Sequence, residues 1–112
     1  MEEKLLQQNL VANRWQTLTL SEQLGNIGSE IGRALGAQKQ NKEEKKIFAL
    51  NRAFELFNLT IGDSRWLSRL KELTRGREVV ADYFFGDNVY NSTAENLEKY
   101  FYWFALAARK NR

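Results

Sequence analysis

From about Leu18 to Ala108 the apolar residues of this chain recur every three or four positions, and no proline interrupts them. A stripe of that period lets a helix bury one face, and a stripe that restarts after each turn signal folds the chain back on itself. The pattern predicts an all-α protein, a four-helix bundle. The same sequence contains no histidine and no cysteine. That removes the residue types on which most nucleophiles, metal sites and neutral-pH proton transfers are built, so no catalytic residue, metal or cofactor is implied.

Three helix starts carry a capping box, in which a short polar side chain accepts from an early backbone N–H and a glutamate three residues on reaches back. They are Thr19 with Glu22, Asn41 with Glu44, and Ser92 with Glu95. The fourth start falls at Asp63 or Ser64, after a Gly62 that ends the preceding helix, and Gly86-Asp87-Asn88 ends the next in a similar way. These signals place helices at about 20–39, 42–61, 64–85 and 93–110. Connections this short make successive helices antiparallel neighbours, giving up-down-up-down topology. Residues 1–17 read as an N-terminal arm able to form a further short helix, and 18–112 as the bundle.

Each helix has its core stripe: Leu20, Leu24, Ile27, Ile31 and Leu35; Ile47, Leu50, Phe54, Phe57 and Ile61; Trp66, Leu70, Leu73, Val80 and Phe84; Leu97, Phe101, Phe104 and Ala108. At 112 residues and 43% hydrophobic content one such core needs no covalent staple. No apolar run approaches the roughly 20 residues of a membrane span, and Met1 to Arg14 lacks the basic start and apolar centre of an export signal. A soluble, cytoplasmic protein is the expectation. The sequons Asn58-Leu59-Thr60 and Asn91-Ser92-Thr93 then carry no weight.

Three features exceed what a core requires. Gly25, Gly28, Gly32 and Gly36 fall in one helix, and the last three form a strip beside its Leu/Ile stripe. Each glycine costs a helix interior nearly 1 kcal/mol relative to alanine, so the strip implies close approach, either of a neighbouring helix or of a partner chain or phosphate backbone. Arg77 interrupts the stripe of the third helix. It either snorkels to a groove edge or meets an acid such as Glu30, Glu55 or Glu98, which fixes helix register or lines a polar pocket. The second and fourth helices, finally, are apolar on more than one face. Phe48, Leu56, Leu59, Trp103 and Leu106 point away from the core stripes, and rings so placed suit an oligomer interface or, alternatively, base stacking or plain scattered exposure at the surface.

The net charge of +3 is modest, but it is segregated. Residues 39–52 carry five Lys/Arg against two acids, 78–98 carry five acids and no Lys or Arg, and the last fourteen carry Lys99, Arg109, Lys110 and Arg112 without an acid. The topology sets Lys39, Lys42, Lys45 and Lys46 near Glu78, Asp82 and Asp87, where they offset one another. It gathers Arg65, Arg69, Arg109, Lys110 and Arg112 at the opposite pole, with Arg14 as a further member and with Asp63 and Glu72 as the nearby acids. This pole is the candidate for binding phosphates, or else simply complements the dipole of the last helix.

The stretches Leu24 to Ala34, Arg69 to Leu73 and Arg77 to Phe84 resemble those of small uncharacterised bacterial four-helix proteins. In size, basicity and helix count the chain resembles the accessory variability determinant proteins of diversity-generating retroelements and their relatives in intervening sequences of ribosomal RNA. That resemblance implies a ring-forming, nucleic-acid-binding helper of a reverse transcriptase and assigns no residue a role. The expected function is therefore a non-enzymatic homo-oligomeric module that binds RNA, DNA or an acidic partner as an accessory protein. Two alternatives stand beside it: a protein-only adaptor or antitoxin-like bundle using the outer aromatics, and a small-molecule binder or enzyme built around Arg77.

Overall fold

The computed structural model of the chain describes residues 14–110. Among the described residues four long helices make up the fold: α1, Leu20–Lys39; α2, Glu43–Ile61; α3, Leu70–Phe85; and α4, Ala94–Lys110. No strand occurs among the described residues. A 3-10 segment, Ser64–Arg69, precedes α3, so the expected continuous helix from Ser64 is broken at Trp66 (φ −109°, ψ 23°).

Local chemistry accounts for the boundaries, with two corrections. Thr19 forms the full capping box: its hydroxyl accepts from the Glu22 N–H, and the Glu22 carboxylate accepts from the Thr19 N–H. Asn41 does not cap α2. Its φ of 58° makes it the left-handed terminator of α1, where Lys42 N–H donates to the Ala37 carbonyl and Asn41 N–H to that of Gln38, a Schellman closure. The cap of α4 is Thr93 rather than Ser92, its hydroxyl accepting from Asn96 N–H. Ser92 instead exchanges two hydrogen bonds with Asn88, and the Asp82 carboxylate accepts from the N–H groups of Val89 and Tyr90. The turn between α3 and α4 is thus pinned to the end of α3.

Successive helices run antiparallel, up-down-up-down. Helix α1 is the spine, packed on α2 along one flank and α4 along the other, while α3 leans on α2. The α1–α4 approach is set by Gly28, where an added Cβ would lie 3.3 Å from the Cβ of Phe101, and the Ser21 hydroxyl donates to the Ala105 carbonyl. Phe57 sits at the centre, fully buried and edge-on to Phe101, with ring centroids 5.8 Å apart. Gly76 of α3, itself buried, leaves room for the rings of Phe104, Tyr100 and Phe57.

Two residues exchange the roles expected of them. Leu56 is 5% exposed and belongs to the core, because α2 lies between α1 and α3 and buries two faces. It therefore cannot line an outer interface. Leu70, expected in the core, is 38% exposed at the start of α3. Trp15, ahead of the first cap, is also a core residue. Its indole N–H donates to the buried Thr60 hydroxyl (2.9 Å), and its carbonyl accepts from the fully buried Gln23 amide (2.8 Å). The Gln23 carbonyl in turn accepts from Trp66 Nε1. Among the described residues no buried side-chain polar atom lacks a partner, so this network seals one end of the bundle at no desolvation cost.

Candidate functional site

The seam between α3 and α4 does not close. Gly28 lets α4 settle onto α1, and the large rings of Tyr100 and Phe104 hold α4 off α3. The result is an open, mainly apolar groove of about 1020 Å³, lined from α3 by Leu70, Lys71, Glu72, Thr74, Arg75 and Glu78 and from α4 by Tyr100, Trp103 and Phe104. Trp103 stands 61% exposed on its wall. Burial pushes the Tyr100 phenol above its ordinary pKa, so it stays neutral, a donor and acceptor rather than an anion. Charge is organised along the rim. The Arg75 guanidinium lies over the Tyr90 ring at 5.6 Å, and the Tyr90 hydroxyl donates to the Glu78 carboxylate at 3.3 Å. Glu72 is taken by Arg69 at 2.8 Å, whereas Lys71 has no carboxylate partner among the described residues.

The expected outer aromatic face is not one face. Phe48 is 76% exposed, but it borders a separate groove between α1 and α2 with Arg33, Gly36 and Lys45. Leu59 is half-buried against the core. Leu106 is half-buried beside the glycine strip. Gly28 alone of that strip meets a neighbouring helix; a Cβ on Gly25, Gly32 or Gly36 would meet nothing within 4 Å.

The basic pole is brought together only in part. Arg65 forks onto the buried Asp63 carboxylate (Nη2 to Oδ2, 2.7 Å) and stacks 4.5 Å above the Trp66 ring. The Arg65 hydrogen bonds hold the Asp63 carboxyl below its ordinary pKa against the opposing effect of burial, and raise that of Arg65. Arg65 and Arg69 line one cleft with Thr19, Leu20 and Ser68, whereas Arg109 lies round the corner beside Ser21 and Gly25. Arg109 and Arg14 are exposed and have no ion-pair partner among the described residues. Lys110 is described by its backbone alone, and Arg112 lies outside the described residues.

At the other pole the expected compensation between loops is not made. Lys46 pairs with Glu43 of its own helix at 3.0 Å, and Asp82 is engaged by backbone N–H groups. Arg77 takes the snorkelling course. Its Nε donates to Asn58 Oδ1 at 3.0 Å and its guanidinium lies 5.1 Å from the Phe54 centroid, on the α2–α3 rim. Among the described residues none of Glu30, Glu55 and Glu98 pairs with it; Glu30 pairs with Arg33 at 2.6 Å, and the Glu55 carboxylate lies 3.9 Å from Arg52. Among the described residues no helix is long and apolar enough to cross a membrane, and no cluster of three acids could hold a metal ion. Compared with known proteins, the chain matches no family model, no curated protein and no solved structure.

Proposed function

We propose that this chain is a non-enzymatic helical interaction module whose working surface is the groove between α3 and α4. One observation carries the proposal: a tryptophan and a leucine stand in water along a mainly apolar trough, in a bundle whose buried polar side chains are otherwise satisfied among the described residues. Large exposed rings in a concave site are the anchors on which protein interfaces concentrate binding energy. Catalysis is no part of the proposal, since Arg77 bonds to an amide on the rim instead of a carboxylate inside the bundle.

The test uses the neutral dye Nile red on dilute chain. Binding to the wild type and its loss in Trp103→Ser are expected; equal binding by the two, or none to the wild type, would remove the groove from the argument. Nucleic-acid binding at the basic pole is the second reading, and the observation favouring it is the pair of unpartnered guanidiniums, Arg14 and Arg109, at one end of the molecule. The accessory role beside a reverse transcriptase depends on that second reading.

A further inference from the structure

We infer that the occupant of the α3–α4 groove is a second copy of this chain, docked with α3 antiparallel to its mate about a twofold axis near Thr74 and Arg75. The inference rests on the groove being a docking surface and adds what fills it. Charge complementarity along α3 points to that occupant. Lys71 and Glu78 are seven residues apart, so they share one face of α3 about 10 Å from each other along the axis, with Thr74 and Arg75 between them. Among the described residues Lys71 is without a carboxylate partner and the Glu78 carboxylate accepts a hydrogen bond from the Tyr90 hydroxyl but has no cationic partner.

Antiparallel pairing about the midpoint sets Lys71 of each copy against Glu78 of the other, twice, by symmetry. A parallel arrangement would set like charges opposite one another. The apolar part is self-complementary in the same register. Leu70 and Trp103 lie on the groove side of each copy, and the twofold carries each copy's Trp103 toward the open trough of its mate. Glu72 and Arg69 remain paired within their own chain and take no part.

Charge reversal tests the geometry. Lys71→Glu sets an acid at position 71 against Glu78 of the other copy, and Glu78→Lys sets a base at position 78 against Lys71 of the other copy, so at these two contacts each variant repels itself. Each rim pair is worth at most a few-fold in affinity, so a single reversal weakens self-association on the order of tenfold, and Trp103→Ser more. Both charged positions are exposed, and unchanged helicity by circular dichroism establishes that the variants fold.

By sedimentation equilibrium the expected set of results is a wild-type dimer of twice 13.1 kDa and two dissociated single variants. Mixing the two variants should give a heterodimer, and the double variant should regain the homodimer. A wild type that stays monomeric at about 0.5 mM, far above useful dimer affinities, would overturn the inference. So would a ring of odd number, single variants that dimerise like the wild type, or a monomer that dimerises only once residues 1–13 are removed, which would make that segment the occupant. Nile red binding by a monomeric wild type would mean that the second copy is wrong and the groove itself stands; absence of that binding in dilute chain is the separate failure of the groove.

Discussion

Gly25, Gly32 and Gly36 lie inside α1, yet a methyl group on any of them would meet no atom within 4 Å. Replacing all three with alanine should therefore recover helix propensity without a packing penalty. Each interior glycine costs about 0.8–1.0 kcal/mol relative to alanine, with less at Gly36 in the last turn, so the triple variant should gain about 2 kcal/mol. For a chain of 112 residues the unfolding entropy is about 0.24 kcal/mol/K, which converts that gain to a rise in Tm of roughly 8 °C. Gly28→Ala is the internal control. Its methyl would press on the Phe101 Cβ at 3.3 Å, an atom that cannot swing aside without moving α4, so overpacking of about 1 kcal/mol or more should cancel the propensity gain. Urea unfolding followed by far-UV circular dichroism compares the variants. If Gly25→Ala or Gly32→Ala lowers stability, the strip is covered in solution and its outward placement is refuted.

The end network should be fragile to a shape-conserving change: Gln23→Leu strands the Trp66 indole N–H and the Trp15 carbonyl, costing about 2–3 kcal/mol in urea unfolding, and a neutral result would mean that the network adds nothing. Leu56→Ala should cost about 2–5 kcal/mol because the side chain is enclosed, whereas a loss under 1 kcal/mol would return Leu56 to the surface. Asp63 titrates lower in the folded chain than its ordinary 3.8, so its stabilisation is present above about pH 4 and disappears as pH falls through the lower folded value. The Tm gap between wild type and Asp63→Asn should thus be constant from about pH 7 to 5 and close below about 4; a gap that persists into stronger acid would contradict the depressed pKa. For the basic pole, anisotropy of a single-stranded RNA should show affinity falling steeply between about 50 and 200 mM salt and weakening further in Arg109→Glu, and salt-independent binding would exclude phosphate contacts there.

How far the sequence carries depends on the range of the interaction that decides each feature. The capping box at Thr19 needs partners three residues apart, and the four helices and their stripes need only local periodicity, so both are legible. Asn41 shows the limit of that reasoning. The pattern Asn-x-x-Glu fits an N-cap, but the same asparagine tolerates left-handed φ, and ending α1 took precedence over starting α2. Leu56 and Leu70 differ in fate because α2 has helices on two sides while the start of α3 borders a seam that stays open, a matter of where α4 settles. The Gln23–Trp15–Thr60 contacts span as many as 45 residues and leave no trace in spacing. The groove is the same kind of feature, with Trp103 legible as an outward ring and its walls of Leu70, Lys71 and Glu78 supplied only by the fold. Gly76, which makes room for α4's rings, carries a signal that could have been read: a small residue midway between Leu73 and Val80 on a core stripe.

Because α1 holds the two most extensive helix interfaces, with α2 and with α4, while α3 is more lightly packed on α2, opening of the molecule is hierarchical. Peeling α3 away severs its packing on α2 and leaves a trio of helices still sharing the Leu24, Ile27 and Ile31 face. Amide hydrogens in the middle of α1 should exchange only when the whole chain unravels, while those of α3 report a cheaper, partial excursion. The wall of the groove that carries the charges is thus also the leaf that lifts first.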